Sequence, residues 1–346
     1  GDLAISKEAL IGRKKETPCL LIGNLKSFSI LKEKLMKQPF GLKRLASELD
    51  KLLTNYLKKE IIWDVGKIKF NLTRKVLIMG IINLTPDSFS GDGLYKHGLL
   101  YKSDPKQIIS FAKKLINDGA DIIDIGGEST RPGANPVPLE EEINRTIPVI
   151  KMFSQRNIKV PISIDTYKPQ VAEEALKAGA CIVNDISGLR NPKMIEVVSK
   201  YKAGVIIMHM KGNPRTMQIN PRYKSVLDEI IKFFKKSTQE AQKKGISPNK
   251  IVIDPGIGFG KKLEHNLKIL KHLDELKILG FPIMIGVSRK SFIGKILKIE
   301  EPQKRIFGTI GSALYAVNKG ARILRVHDVK KVREALSVWQ AIQEID

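Results

Sequence analysis

The chain has 346 residues, of which 42% are hydrophobic and 6% aromatic, and its formal net charge at pH 7 is +24. The hydrophobic share is ordinary for a globular protein, and no apolar run approaches the roughly 20 residues of a membrane span. Two cysteines, Cys19 and Cys181, are too few for a disulfide framework, and the first residues do not resemble a signal peptide. We therefore expect a cytoplasmic protein.

The positive charge has two interpretations. Nucleic-acid binding proteins carry basic surfaces, but these lysines are scattered along polar helix faces, as in residues 232–245, and few aromatic residues could stack on bases. A lysine-rich surface around a pocket for anions explains the same charge and would steer an anionic substrate. We expect neither nucleic acid nor a membrane as a partner, and we keep a nucleic-acid binding module as the alternative.

Residues 1–75 differ from the rest of the chain. Residues 31–36 and 42–57 carry apolar side chains at helical spacing, and two short strand patterns flank Gly66. We predict an N-terminal extension over residues 1–75, made of helices and a β-hairpin that caps the floor of the following domain at residues 76–346. The helices could form a packing module or an oligomer contact, and their role stays open.

From residue 76 onward, apolar runs alternate with segments of helical period. The predicted strands cover residues 76–83, 121–126, 161–165, 181–185, 204–208, 251–254, 282–287 and 323–326. The clearest predicted helices cover residues 105–118, 139–156, 169–178, 224–244 and 266–277. Continuous apolar strands are typical of a parallel sheet that is covered on both faces.

A short polar cluster follows nearly every predicted strand. In chain order these clusters contain Asn83, Thr130 with Arg131, Asp165, Asn184 with Asp185, His209, Asp254, Ser288 to Lys290, and Arg325 with His327. A doubly wound open sheet would gather ligand groups near one switch point. Polar groups at all strand ends instead favour an α/β fold of the (β/α)₈ TIM-barrel type, with the N-terminal helical extension and hairpin added.

Three strand ends carry groups that suit a flat heterocycle. Asp165, Asn184 and Asp254 supply acceptors and an amide, and Lys290 supplies a cation. Together they could bind the amino, amide and ring-nitrogen edge of such a ligand. Ile186, Met208 and Phe259 could cover its faces. The alternative is a polar network that only satisfies the barrel mouth.

A second set is cationic. Arg131, Arg325 and His327 suit an anion such as a phosphate, although Arg325 could instead pair with Asp328 or another barrel acid. Asn83 could be an oxygen ligand of Mg²⁺ beside this set, or an amide that caps the turn after its strand. His209 is expected to pack at the barrel mouth rather than bind a ligand.

With these motifs in view, the chain resembles the dihydropteroate synthase family of folate-pathway enzymes over residues 76–332. The shared motifs, in order, are GIINLTPDSFSGDG, DIIDIGGESTRPGA, ISIDT, NDISG, IDPGIGFGK, GVSRKSFIG and GARILRVHDV. The resemblance implies a transferase. Its reaction condenses 6-hydroxymethyl-7,8-dihydropterin diphosphate with 4-aminobenzoate to 7,8-dihydropteroate and pyrophosphate, and it requires Mg²⁺. It also implies that the protein pairs as a homodimer.

The resemblance carries over residue by residue. Asp165, Asn184, Asp254 and Lys290 match the positions that hold the pterin. Asn83, Arg131, Arg325 and His327 match those that serve the diphosphate and the metal. Phe89, Thr130, Pro132, Phe259 and Ser291 match those around aminobenzoate, where sulfonamides also bind.

The implied chemistry agrees with these residue types. Departure of pyrophosphate leaves a cation delocalised into the pterin, in an SN1-like reaction. Asp165 would stabilise this cation while Lys290, Arg325 and His327 complete the catalytic set, and the loops at residues 84–104 and 127–138 would exclude water. The nearest alternative is a pterin-binding methyltransferase of the same barrel type that acts with a corrinoid partner. Such an enzyme would not need the STRPG, SRKS and RVHD motifs.

Overall fold

A computed structural model describes residues 2–4, 20–39, 41–85, 105–129, 133–156 and 158–345. The chain divides into two compact units, residues 1–58 with 278–280 and residues 59–277 with 281–346. The first unit contains the antiparallel strands β1 (Asp2–Ala4) and β2 (Leu20–Ile22) and the helices α1 (Leu25–Met36) and α2 (Leu42–Tyr56). Helix α1 begins before the predicted residue 31, because the Asn24 side chain accepts a hydrogen bond from the Ser27 amide and caps it.

A β-hairpin opens the second unit. Its strands β3 (Ile62–Val65) and β4 (Ile68–Asn71) pair antiparallel around Gly66, which has a φ of +60°. Trp63 is fully buried, and its indole Nε1 donates to the Lys250 carbonyl at 3.1 Å. The predicted division at residue 75 grouped this hairpin with the extension, whereas the structure groups it with the barrel.

The reason for this grouping is the buried face of the hairpin. Trp63, Val65 and Leu72 form one apolar cluster with inward-facing barrel residues such as Leu77 and Val252. A Cβ on Gly204, at the start of a barrel strand, would lie 2.5 Å from Cγ1 of Val65. The hairpin therefore packs directly beneath the strands, at the amino-terminal end of the barrel.

Eight parallel strands close the barrel, as the sequence predicts. They are β5 (Leu77–Asn83), β6 (Ile122–Gly126), β7 (Ile162–Asp165), β8 (Ile182–Asp185), β9 (Gly204–Met208), β10 (Ile251–Asp254), β11 (Ile283–Ile285) and β12 (Ala321–Val326). Each strand pairs with the next along the chain, and β12 pairs with β5. The predicted bounds differ from these by at most two residues, and β5, β7, β8 and β10 end at the predicted polar residues Asn83, Asp165, Asp185 and Asp254.

Helices surround the barrel in the described part of the chain. They are α3 (Pro105–Asn117), α4 (Leu139–Gln155), α5 (Pro169–Ala178), α6 (Pro192–Lys200), α7 (Val226–Lys243), α8 (Leu263–Lys271), α9 (Ser291–Leu297), α10 (Ile306–Asn318) and α11 (Val329–Gln343). The predicted helix at residues 266–277 is instead α8 followed by a 3₁₀ segment, Leu273–Leu279. Of the helices described, none combines the length and the apolar composition that a membrane crossing needs.

Strand register determines which side chains meet at the carboxyl end. Asn83 of β5 lies opposite Gly126 of β6, Gly126 opposite Asp165 of β7, and Asp165 opposite Asn184 of β8. Asp254 of β10 lies opposite Met208 of β9. Because alternate residues of a strand face the barrel interior, the register brings the polar residues of neighbouring strands to one level.

Candidate active site

The carboxyl ends of the strands surround a cavity of about 440 Å³. Nine of the residues predicted for the site line it: Asn83, Asp165, Asn184, Asp254, Phe259, Lys290, Ser291, Arg325 and His327. The acids, the amide and the lysine from separate strands therefore share one cavity with Arg325 and His327. Phe89, Thr130, Arg131 and Pro132 were also predicted for the site and lie outside the described residues.

Arg325 connects the two predicted sets. Its Nε donates to Asp124 Oδ2 and its Nη2 donates to Asp165 Oδ2, both at 2.7 Å. Although burial opposes it, the charges of these two carboxylates hold the pKa of Arg325 above its ordinary value. Of the alternatives for Arg325, pairing with barrel acids is therefore present in the structure. Asp328 pairs instead with Arg289, whose Nε and Nη2 each lie 2.9 Å from a carboxylate oxygen.

Asp124 was missed by the sequence reasoning. It is fully buried in β6 and accepts from Asn184 Nδ2 at 3.3 Å as well as from Arg325. The available signal was an acid inside an otherwise apolar strand, because a buried carboxylate needs a cation or several donors. Asp124 lies two residues before Gly126, so it faces the barrel interior one layer below the row of ligand candidates.

Buried acceptors at this end that have no partner among the described residues include Oδ1 of Asp124, Oδ1 of Asp165 and Oδ1 of Asn184. Nearly all buried polar atoms in native proteins are hydrogen-bonded, so unpaired ones need a cause. Asp165 and Asn184 line the cavity. Their unpaired oxygens are suited to receive N–H groups of a ligand.

Asp165 is the acid closest to the centre of this network. Burial raises the pKa of Asp165 to about 7, and Asp124 adds to this rise while Arg325 opposes it. Its carboxylate and Asn83 Oδ1 also flank Gly126: a Cβ there would lie 3.6 Å from Asn83 Oδ1 and 3.7 Å from Asp165 Oδ2. Because Gly126 has no side chain, the space beside Asn83 Oδ1 and Asp165 Oδ2 stays open.

Asp254 and Lys290 face the cavity from the other side. Asp254 Oδ1 accepts from the Gly256 amide at 2.7 Å, and burial raises the pKa of its carboxyl. The Lys290 ammonium lies 4.1 Å from the ring centroid of Phe259. Ile186 and Met208, which were predicted to cover the faces of a ligand, also line the cavity and pack in one apolar cluster with Met210 and Met217.

The SRKS and RVHD motifs hold one another in place. Ser288 Oγ lies 3.0 Å from His327 Nδ1 and accepts from the His327 amide at 3.2 Å. Arg289 has a φ of +60°, which is unusual for a residue with a side chain. Its amide donates to Thr309 Oγ1 at 3.1 Å, and its carbonyl accepts from Arg305 at 2.9 Å. These contacts fix the turn that presents Lys290.

Residues on both sides of the β6–α4 loop bind the ammonium of Lys168. Lys168 Nζ donates to the carboxylates of Glu128 and Glu142 and, at 2.8 Å, to the Val137 carbonyl. Tyr167 donates to Glu128 at 2.9 Å. Glu128 lines the cavity, so this cluster fixes the ends of the segment in which the sequence places Thr130, Arg131 and Pro132.

His209 packs as predicted and does not line the cavity. Its ring makes an edge contact with Phe233, at 5.0 Å between centroids. Burial lowers the pKa of His209 to about 2, so the ring is neutral. Its Nδ1 lies 3.0 Å from the ammonium of Lys261, a residue that the sequence reasoning did not consider.

Fold and cavity together define an α/β-barrel protein whose strands end at a cavity lined by buried carboxylates, an amide and cationic side chains. The family model of pterin binding enzymes matches residues 79–327. The dihydropteroate synthase of Synechocystis sp. is 46% identical over 279 residues, which cover 80% of this chain and 94% of that protein. The chain belongs to the pterin binding enzyme family, and its relatives there are dihydropteroate synthases.

Solved structures agree with this assignment. The Yersinia pestis dihydropteroate synthase, in complex with a sulfonamide drug, has a TM-score of 0.76 and 40% identity and covers 82% of this chain and 100% of its own. The Thermus thermophilus enzyme, in complex with 4-aminobenzoate, has a TM-score of 0.71 and 41% identity and covers 81% and 99%. Residues 1–78 lie outside the family model.

Proposed function

We propose that the cavity condenses 6-hydroxymethyl-7,8-dihydropterin diphosphate with 4-aminobenzoate, giving 7,8-dihydropteroate and pyrophosphate. The observation that carries this proposal is the meeting of Asp165, Asn184, Asp254 and Lys290 in one cavity, with Arg325 and His327 beside them. Family membership and the two ligand-bound relatives support the same reaction.

The pterin ring is held through its polar edge. Asp254 accepts N–H groups from one part of the ring, while the unpaired oxygens of Asp165 and Asn184 accept others. Lys290 donates to a ring acceptor. Met208 and Phe259 contact the ring faces and keep water away, which strengthens each of these hydrogen bonds.

The diphosphate leaves next to Arg325 and His327. Two of the five N–H groups of Arg325 are used by Asp124 and Asp165, so others remain for phosphate oxygens. The bond between the pterin methylene carbon and the diphosphate oxygen breaks, and its electron pair stays on the diphosphate. Asp165 stabilises the resulting pterin cation. The amine nitrogen of aminobenzoate then bonds to the methylene carbon and releases a proton.

Mg²⁺ fits the oxygen donors at Asn83. The space that Gly126 leaves between Asn83 Oδ1 and the Asp165 carboxylate suits a cation that completes its coordination with waters and substrate phosphates. No group of three acidic, histidine or cysteine side chains in the described ranges could form a metal cage without the substrate. When bound, the ion would neutralise charge on the departing diphosphate.

We assign the aminobenzoate subsite to Phe259 and Ser291, which line the cavity. Phe89, Thr130 and Pro132 complete it by their match to the family motifs. Sulfonamides would bind in the same place.

A direct assay tests the reaction. The protein is incubated with the dihydropterin diphosphate, 4-aminobenzoate and Mg²⁺, and pyrophosphate release is followed with and without a chelator. We expect release that requires both substrates and the metal. A folded protein that releases no pyrophosphate would contradict the proposal. Transfer of a methyl group from methyltetrahydrofolate to a corrinoid would support the methyltransferase alternative.

We also propose a homodimer, supported by apolar side chains that helices α10 and α11 expose. Phe307 and Tyr315 of α10 are 83% and 45% exposed, and Val338 and Ile342 of α11 are 63% and 64% exposed. Val338 and Ile342 are four residues apart and share one face of α11, and Phe307 and Tyr315 are about two turns apart on α10; exposed apolar patches mark interfaces. Light scattering should give a dimer for the wild type and for Ile219→Asp, whose isoleucine is exposed elsewhere, and a monomer for Phe307→Asp. Dimers in all three would contradict this interface.

A further inference from the structure

Lys261 is a buried lysine to which neither the sequence reasoning nor the proposed reaction assigns a role. Lys261 comes directly after the glycine-rich loop that follows β10, and it is only 3% exposed. The ammonium contacts His209 Nδ1 at 3.0 Å, the His209 carbonyl at 3.2 Å and the Phe259 carbonyl at 2.9 Å. All three acceptors are neutral. A charged group taken out of water in this way is costly, so its retention calls for a reason.

The loop that precedes Lys261 packs backbone against backbone on the residues after β9. Gly256 and Gly260 both have positive φ angles, +69° and +63°. A Cβ on Gly256 would lie 2.1 Å from the His209 carbonyl oxygen, and one on Gly260 would lie 2.5 Å from that of Lys211. The PGIGFG glycines are therefore needed for close approach. Lys261 donates to both of the segments that meet there.

This loop carries two side chains of the cavity. Asp254 begins it and accepts from the Gly256 amide. Phe259 lies near its end, and the Phe259 ring contacts the Lys290 ammonium. By holding the Phe259 carbonyl, Lys261 fixes the backbone from which that ring projects. Lys261 does not line the cavity, but it thus holds the loop that carries Asp254 and Phe259, which do.

Lys261 also acts on Asp254 through its charge. Burial lowers the pKa of Lys261 to about 7, and Asp254 is the neighbour that opposes this fall. Conversely, burial raises the pKa of Asp254, and Lys261 is one of the cations that oppose the rise, with Lys290 and Arg325. Each group favours the charged form of the other.

The other charged groups around this pair are few. The charge of Lys290 disfavours the charged form of Lys261. Arg190 and Lys211 lie near the His209 ring, which Tyr223 also contacts. His265 lies within the field of Lys261. Asp254 is the acid whose charge acts on Lys261.

We propose that Lys261 is a positioning residue of the pterin site: its ammonium anchors the β10 loop, which carries Asp254 and Phe259, to His209 and adds a buried positive charge to that loop. This inference rests on the proposed function. Lys261 contributes to the site in two ways, as an anchor for the Phe259 backbone and as a positive charge that acts on Asp254. Each contribution predicts a different result on substitution.

The test is pterin affinity as a function of pH in Lys261→Met, measured by calorimetry. Methionine keeps the apolar stem and removes the charge, so the pKa of Asp254 rises further. At pH 6.5 we expect weaker binding than in the wild type, by up to about the tenfold that a shift of one pKa unit can produce. The difference should shrink as the pH rises through about 7, because Lys261 then loses its proton in the wild type.

Lys261→Gln separates the two contributions. Glutamine keeps a donor for the Phe259 carbonyl but carries no charge, so this variant should show the same pH-dependent loss of pterin affinity. Its KM for aminobenzoate should stay near that of the wild type, whereas Lys261→Met should raise it. Lys268→Met is the matched control, because Lys268 is exposed on α8, and it should change neither quantity by more than about twofold.

Three outcomes would overturn the inference. These are unchanged pterin affinity in a folded Lys261→Met, a loss that is equal at all pH values, or failure of both variants to fold, which would make the residue a structural one. A wild type that binds no pterin at all would instead count against the proposed function. The two failures can therefore be told apart.

Discussion

The two ends of the barrel are built from the same eight strands, yet they treat polar atoms in opposite ways. At the amino-terminal end, Trp63, Val65 and Leu72 of the hairpin region fill the floor with apolar surface, and the one indole N–H is satisfied by the Lys250 carbonyl. At the carboxyl end, Asp165 and Asn184 keep buried oxygens without partners among the described residues. The floor stabilises the fold, and the mouth is organised for a ligand.

This difference shows that the binding site lowers the stability of one end of the barrel. Unpaired buried acceptors and carboxylates with raised pKa values, such as Asp165 and Asp254, make the mouth less stable than an apolar core of the same volume would be. A sealed floor offsets part of that cost. Substitutions at the two ends should therefore separate stability from binding.

The largest effect is expected at Arg325. Arg325→Ala removes the guanidinium beside the leaving group, and we expect kcat/KM for the diphosphate substrate to fall by about a thousandfold. Binding of pterin without diphosphate should weaken much less. Arg322→Ala is the control, because Arg322 lies on the same strand but donates to a backbone carbonyl. Equal losses for both ligands in Arg325→Ala would contradict a role at the diphosphate.

At the floor, Trp63→Ala should act on stability alone. Removing a fully buried indole leaves a cavity and exposes the ends of the inward-facing strand residues. We expect the free energy of unfolding in urea to fall by about 3–5 kcal/mol, with the KM for each substrate within twofold of wild type at temperatures where the variant is folded. A selective loss of substrate affinity would mean that floor and mouth are coupled.

The ionisation of Asp165 should appear in the pH dependence of turnover. Because the pKa of Asp165 is raised to about 7, the carboxylate that stabilises the cation is present above that pH and is lost below it. We expect kcat to fall by about tenfold per pH unit below the pKa. Asp165→Asn should be slower and lack this limb of the profile. The same limb in Asp165→Asn would assign the titration to another group.

A smaller effect is expected for the aminobenzoate subsite. Phe259→Leu keeps apolar contact but removes the ring that lies beside the Lys290 ammonium. Contact between two aromatic rings contributes about 0.5–1.5 kcal/mol, so loss of the contact between the Phe259 ring and the drug ring should lower sulfonamide affinity several-fold in calorimetry. Pterin affinity should change less than sulfonamide affinity. The reverse order would show that Phe259 serves mainly the pterin.

The fold and much of the cavity could be predicted because the same sequence pattern indicates both. A polar residue at the end of an apolar run, such as Asp254, marks the end of a strand and, in a barrel, the level of the site. What the sequence could not show is pairing across the barrel. The partners of Arg325 are 160 and 201 residues away, and the chain order gives no reason to prefer them over Asp328.

Two further features escaped for related reasons. Asp124 lies inside a strand rather than at its end, so it did not stand out as a ligand candidate. The glycines of PGIGFG allow close backbone packing beside His209, and the sequence alone does not show which segment they pack against. Both features depend on which segments are neighbours in space. The role proposed for Lys261 depends on the second, the packing of the PGIGFG loop against the segment that contains His209.

The pterin affinity of Asp254→Ala tests the central claim most directly. Calorimetric titration of pterin into the wild type and this variant, with unfolding curves as the check on folding, compares the two under one condition. The variant should bind at least about a hundredfold more weakly, because a ring built to donate to Asp254 would find no acceptor. A folded Asp254→Ala protein that binds pterin as tightly as the wild type would contradict the account.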